Sequence, residues 1–296
     1  MRKALVLLLL AALVGLALGM ACDQGERKVT LRFKFKPGME IEYKQTASGT
    51  LRVFRSDSLV SDRANDYTAM LTWYVRRVLE DGTAEIVESK TFNLTETETG
   101  ESGRVDTVKE ERDIIMYVKP NGKVEDLETS ESGENKSLTY LKNYLEQGQP
   151  VFPDRELGEG YSWIQTTKVI LPDGPMDAST TYEVKSFVRE RGYDCVVVAY
   201  DGNLIIPLEK MHEKSYKLIQ GVDNIQASGH IYFAYEEGLV VRQTEKWVLD
   251  RDASWSVVEV DTTMASMKNV VPGDTVVNNI KIEYDVDHVL VDLARE

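Results

Sequence analysis

Apolar and polar residues alternate over most of this chain. Val29, Leu31, Phe33 and Phe35 interleave with Lys28, Thr30, Arg32 and Lys34, the period of two expected of a half-buried strand. Lys36-Pro37-Gly38 supplies a turn, because proline presets its φ and glycine accepts a positive one. Met39, Ile41 and Tyr43 then alternate with Glu40, Glu42 and Lys44, so the chain is expected to open on an antiparallel hairpin. Tyr67–Leu79 and Ala84–Leu94 flank Glu80-Asp81-Gly82-Thr83, a strong hairpin signal. Ile114–Val118 and Lys123–Leu127 flank Pro120-Asn121-Gly122. The polar stretch 55–65 reads as a loop, and residues 95–111 read either as a loop or as the solvated ends of two strands.

One stretch departs from period two. In Ser137–Gln147, Leu138, Leu141 and Leu145 fall at helical spacing, and Gly148, Pro150 and Pro153 stop the run. A short helix is therefore expected near 137–147, with its apolar stripe packed on a sheet. Strand patterns then resume. Tyr161–Leu171 precedes Pro172-Asp173-Gly174-Pro175, and Thr181–Arg189 and Tyr193–Tyr200 flank Glu190-Arg191-Gly192. Asp201-Gly202-Asn203 suggests another turn. Ile225–Tyr235 and Leu239–Asp250 flank Glu236-Glu237-Gly238, and Trp255–Val271 and Thr275–Tyr284 follow. Residues 209–224 carry no clear pattern, and Leu290–Arg295 reads as a last strand or a tail.

Three landmarks recur in order. Phe35-Lys-Pro-Gly38 answers Leu157-Gly-Glu-Gly160, the turn at Gly82 answers that at Gly192, and the turn at Gly122 answers that at Gly238. The spacings differ too much for a short-period solenoid. The predicted fold is mainly all-β: an antiparallel meander forming a curved sheet or open barrel from two related halves, 28–134 and 157–296. The helix and a proline-containing connection, 135–156, join them.

The first residues follow another rule. Arg2 and Lys3 precede an apolar run from Ala4 to Leu18, and Gly19-Met20-Ala21-Cys22 ends it. A basic start, an apolar core of about 7–15 residues and small residues at the end define a secretory signal, and the run is shorter than the roughly 20 residues that span a bilayer. Residues 1–21 read as a signal peptide and 22–27 as a short tether. Ala21-Cys22 resembles the lipobox of bacterial lipoproteins, in which a small residue precedes an invariant cysteine. The resemblance implies that Cys22 carries diacylglycerol and acyl chains and ties the domain to a membrane. Gly19 departs from the leucine usual at that position, so ordinary cleavage to a secreted soluble protein is the alternative. Asp23 matches the enterobacterial signal for inner-membrane retention.

Charge narrows the partners. The chain has a formal net charge of −14, and residues 1–21 contain two of its bases and no acid. Nucleic acid and anionic lipid surfaces both reward Lys and Arg, so neither is expected as a partner. Cys195 has no disulfide partner once Cys22 is acylated. It sits in the strand-like run Tyr193–Tyr200 and reads as a buried small hydrophobe.

No catalytic motif emerges. His212-Glu213 begins like a zinc-protease motif, but the second histidine is missing. His230 reads as a solvent-facing or capping residue. Asp285-Val286-Asp287-His288 puts two carboxylates on one face of an extended segment, without the glycine and terminal Glu of a calcium loop. No cofactor or metal is expected. Trp73, Trp163, Trp247 and Trp255 lie in predicted strands and suit either a core or a groove lining.

The β-rich pattern behind such a signal resembles uncharacterised secreted lipoproteins of Gram-negative bacteria. More loosely, it is similar to Lol-type carriers, half-barrels whose curved sheet cups lipid chains. That resemblance implies lipid binding and assigns no residue. The expectation is a non-enzymatic cell-envelope lipoprotein, facing the periplasm or exterior, with a binding or assembly role and an apolar ligand held in a β groove. The alternatives are a structural lipoprotein that meets envelope proteins through its acidic face, and a hydrolase with an unrecognised carboxylate site.

Overall fold

The computed structural model describes residues 27–55, 58–98, 104–106, 112–129, 149–171, 174–207, 212–213, 216–257 and 275–294. Cys22, the signal and the expected helix at 137–147 lie outside the described residues. Within them the fold is all-β and no helix occurs. The strands are β1 (Glu40–Arg55), β2 (Ser58–Val78), β3 (Ala84–Glu98), β4 (Arg104–Asp106), β5 (Arg112–Val118) and β6 (Val124–Thr129), followed by β7 (Ser162–Leu171), β8 (Gly174–Glu190), β9 (Tyr193–Pro207), β10 (His212–Glu213), β11 (Tyr216–Ala234), β12 (Leu239–Val257) and β13 (Thr275–Ala294).

All belong to one open antiparallel sheet, ordered β6-β5-β3-β2-β1-β13-β12-β11-β9-β8-β7, with β4 and β10 beside this path. Two meanders meet where the first strand pairs with the last, Ile41 opposite Leu293 and Leu51 opposite Ile282. Among the described residues the sheet edges are thus β6 and β7, which follow one another in sequence.

The six landmark glycines all lie at one end of the sheet and all have positive φ: Gly38, Gly82, Gly122, Gly160, Gly192 and Gly238, between 72° and 92°. The halves share finer detail. Gly38 N–H donates to Val75 O at 2.9 Å and Val75 N–H to Met39 O, while Gly160 N–H donates to Val184 O at 2.8 Å and Val184 N–H to Tyr161 O. A register shift follows each valine, between Val75 and Arg77 and between Val184 and Ser186. Matching bulges at matching positions carry the two-half plan into the backbone, since a bulge bends a strand at a fixed place.

This glycine end is closed. Its core includes Ile41, Tyr43, Trp73, Val75, Ile86 and Met116 on the first meander and Tyr182, Val184, Val196, Val198, Ile231 and Phe233 on the second. Residues 27–36 correct the expected opening hairpin. They form no strand of the sheet but cross its end, Phe33 N–H donating to Pro120 O, Lys34 N–H to Gly238 O and Val29 pairing with Leu157. The alternation survives: Leu31 and Phe33 are buried while Lys28, Thr30, Arg32 and Lys34 are exposed. Period two reported two faces; the partner turned out to be the sheet's end. Phe33 stacks on Phe35 at 5.4 Å and meets Phe233 edge-on at 5.2 Å, with Phe152 at 5.9 Å.

Two further expectations change. Residues 58–65 of the stretch expected as a loop are strand, because β2 runs through them and pairs Ser61 with Val53 and Asn65 with Gly49. Asp201-Gly202-Asn203 does not turn, because β9 continues to Pro207. Both stretches are polar because they lie toward the far end of long strands, where the sheet needs no tightly packed apolar face.

Candidate functional site

The face that carries the core can be followed tier by tier through the strand register. Above the closed floor lies a belt of polar and aromatic residues. One tier aligns Gln45, His288 and Gln243. The next aligns Tyr67, Ala47, Val286, Glu245, Gly229, Tyr200, Tyr182 and Trp163 across eight strands. The Tyr200 hydroxyl donates to Glu245 Oε2 at 2.8 Å, and Gln243 donates to the Tyr200 oxygen at 3.3 Å. Trp163 stacks on Tyr182 at 5.1 Å.

Burial governs the protonation of this belt. It holds the Glu245 carboxyl above the usual carboxylate range against the opposing hydrogen bonds of Tyr200 and Gln243. It raises Glu88 likewise, although the Trp73 indole N–H donates to Glu88 Oε2 at 2.7 Å and Lys90 lies nearby. His288, with its ring centroid 4.5 Å from that of Tyr43, is pulled down to about 4 by desolvation and then by Lys90. At neutral pH the imidazole is therefore neutral.

The following tier aligns Asn65, Gly49, Tyr284, Trp247, Ala227, Gly202 and Thr180. A Cβ on Gly49 would overlap the Tyr284 ring. Glycine there lets Tyr284 lie across β1 to reach β2, where the Asn65 amide donates to its hydroxyl at 3.0 Å. Above this, Leu51, Ile282, Leu249, Ile225 and Leu204 form an apolar row. All are half-buried. The opposite face offers Arg52, Lys281, Asp250 and Asn224 at the neighbouring positions, and the exposed Ile205 on β9. Beyond the row, Arg251 grips the buried Asp223 with two hydrogen bonds, at 2.6 and 2.7 Å.

The other face of the sheet holds an open groove of about 740 Å3, with Thr46, Ser48, Asp66, Thr68, His230, Arg242, Thr244, Lys246, Asp285 and Asp287 among its lining. The side chains at Asp285 and Asp287 share this face as expected. His288 points to the other, and Asp287 accepts from Arg242 at 2.9 and 3.2 Å, so the three are not brought together. His230 is exposed in the middle of β11, not at a strand start. Cys195 is buried, and desolvation pushes its thiol up to about 12. Trp73 is a core residue, while Trp163 and Trp247 are half-buried on the inner face. The side chains of His212 and Trp255 lie outside the described residues. Glu88, Glu245, Asn65 and Tyr284 escaped the sequence reading because each is an ordinary polar residue in a strand. Only the register shows which neighbours they share.

No protein-family model matches the chain, and no curated protein does. Among solved structures, a lipovitellin structure concerned with lipid–protein interactions superposes with a TM-score of 0.50 at 10% identity, covering 88% of this chain and 26% of its own. The chain thus spans about a quarter of that protein, and the likeness is one of fold. An outer membrane channel from Pseudomonas putida F1 is also matched, at 7% identity over 85% of this chain and 97% of its own, with a TM-score of 0.22.

Proposed function

We propose that this protein is a non-enzymatic lipoprotein of the cell envelope, tethered through acylated Cys22, whose inner sheet face holds the apolar part of a lipid. The observation that carries the reading is the row Leu51, Ile282, Leu249, Ile225 and Leu204, continuous across five strands and half-buried, while the neighbouring positions of the opposite face are charged or polar on four of those strands. A strand end that served only as structure would gain nothing from a continuous apolar row left half-buried, since exposed apolar area costs about 25 cal/mol per Å2 relative to burial. Strands lie about 4.8 Å apart, so the row runs for about 19 Å, a fitting length for an extended acyl chain. The fold shared with lipovitellin, whose structure concerns lipid–protein interactions, supports the same reading.

Protein purified from membranes and extracted with organic solvent should release acyl lipid detectable by mass spectrometry. Leu249→Glu, which puts a charge in the middle of the row, should abolish that signal while the protein stays folded. Lipid-free wild-type protein would refute the ligand. Cys22→Ser should move the protein from the membrane to the soluble fraction, and unchanged fractionation would refute the tether.

A further inference from the structure

The hairpin that joins β1 to β2 ends in apolar side chains on both of its faces. Arg55 pairs with Ser58 near its tip, and Phe54 pairs with Leu59 on the face opposite the apolar row. On the inner face Val53 pairs with Ile280 and carries the row one step beyond Leu51 and Ile282. Val60 is the extra residue at the register shift between Val53 and Phe54. Leu59 is 51% and Val60 53% exposed, while Val53, Phe54 and Ile280 are half-buried. Single exposed apolar residues are ordinary on a protein surface. Here they gather around one hairpin tip, within a stretch that is otherwise polar, and such a rimmed apolar patch marks a contact.

The form of the patch and the residues behind it select a lipid bilayer as the partner. A protein surface laid on the hairpin would cover one face, whereas a bilayer surrounds the tip and desolvates both. Arg52, Arg55 and Arg63 lie within a few residues of Phe54 and Leu59, and Lys281 pairs with Arg52 on the adjacent strand. Long basic side chains bury their stems in apolar surroundings and keep their charge at head-group level. Residues 50–64 hold three arginines and two aspartates in a chain of formal charge −14, so the hairpin escapes the repulsion that the chain as a whole meets at phosphates. The opposite end of the sheet is built differently. Its turns carry Glu80-Asp81, Glu190 and Glu236-Glu237 beside their glycines. Residues 27–36 cross that end, so a tether through Cys22 leaves the domain away from the hairpin.

We propose that the β1–β2 hairpin is a second membrane contact, distinct from the Cys22 tether: Val53, Phe54, Leu59 and Val60 enter the acyl layer of a bilayer, and the arginines behind them rest among its head groups. The apolar row then starts where the bilayer ends, Leu51 lying two residues behind Val53. This contact goes beyond the lipid-binding reading and needs no ligand in the row.

The test uses the whole chain after the signal, with Cys22→Ser in place of the lipidated residue, and vesicles of phosphatidylcholine. A polarity-sensitive fluorophore is attached at Leu59→Cys or, at the other end of the sheet, at Glu80→Cys; Cys195 is buried and does not compete for it. The label at 59 should shift to the blue when vesicles are added, and the label at 80 should not. Leu59→Ser combined with Val60→Ser should weaken vesicle flotation about tenfold or more at an unchanged urea midpoint, because both side chains are exposed. Flotation should survive high salt, since apolar insertion is not screened. Leu249→Glu, which breaks the row and spares the hairpin, should float like its parent, so loss of ligand and loss of docking are read apart. No shift at 59, equal shifts at 59 and 80, or flotation that the hairpin substitutions leave unchanged would each overturn the hairpin as a membrane contact.

Discussion

The two ends of the inner face are built from the same strands yet solve opposite problems. At the glycine end, Ile41, Ile86, Val184, Val198, Ile231 and Phe233 are at most 1% exposed, and residues 27–36 with Phe152 and Leu157 close the opening. At the far end, Leu51, Ile282, Leu249, Ile225 and Leu204 keep the same inward positions but are only half-buried. Apolar residues on the same face therefore have two meanings. Where chain covers them they supply folding energy; where they are left part-open they would provide the surface for the proposed ligand. The polar belt of Glu88, His288, Glu245, Tyr200 and Asn65 separates the two ends.

This contrast predicts that stability and binding can be separated. Phe33→Ala at the closed end removes an aromatic side chain packed on three others and should cost about 3–5 kcal/mol, read as a fall in the urea midpoint at constant slope. Leu249→Ala on the row loses a side chain already half in water and should cost about 1 kcal/mol or less, yet weaken lipid binding. A Leu249→Ala loss as large as that of Phe33→Ala would mean that the row is ordinary core.

The belt should give the next largest effect, through pH. His288 is neutral in the folded protein down to about 4, whereas the unfolded chain takes up a proton below about 6.5. The unfolded state then binds more protons, so stability is full above 6.5 and falls as pH drops toward 4, by up to about 1.4 kcal/mol per pH unit. Glu88 and Glu245, raised by burial, act in the opposite sense. Their contribution is present below the ordinary carboxylate value and is lost as pH rises through the folded one. In chemical denaturation measured between about pH 6.5 and 4.5, a window inside the His288 transition, His288→Gln should flatten or reverse the acid-side loss. An unchanged slope would show that the imidazole is not desolvated, and with it that the belt is wet.

The sequence made the closed end legible and left the far end largely unread, for a physical reason. Period two is visible when one face is packed, as along Met39–Tyr43 or Val29–Phe35, and glycine marks a turn when φ must be positive, as at Gly82 and Gly192. At the far end both faces keep partial contact with solvent, so Ser58–Asn65 and Asp201–Asn203 look like loops by composition although they pair in register within strands. Leu51 and Ile282, 231 positions apart, become neighbours only because β1 and β13 close the two meanders together. The hydrogen bond from Asn65 to Tyr284 was doubly hidden, lying in a stretch with a loop's composition and depending on that same closure.

The smallest effect tests whether both halves build the closed end in the same way. Gly38 and Gly160 each have φ of 80° with no heavy atom within 4 Å of where a Cβ would stand. A side chain at either position meets no neighbour and faces only the left-handed backbone penalty, about 1–2 kcal/mol for an L residue. Gly38→Ala and Gly160→Ala should therefore cost nearly equal amounts in urea denaturation, and the double variant should lose their sum, because the sites share no partner. Gly238→Ala gives the contrast within the same set. Its φ is 72°, and the added Cβ would overlap the backbone of residues 32–34, so its cost should exceed that of the other two. Unequal losses at Gly38 and Gly160 would separate the halves energetically despite their matching turns and bulges. A Gly238→Ala loss no larger than theirs would show that the segment crossing the end yields easily, and that the closure over Phe33 is looser than its burial implies.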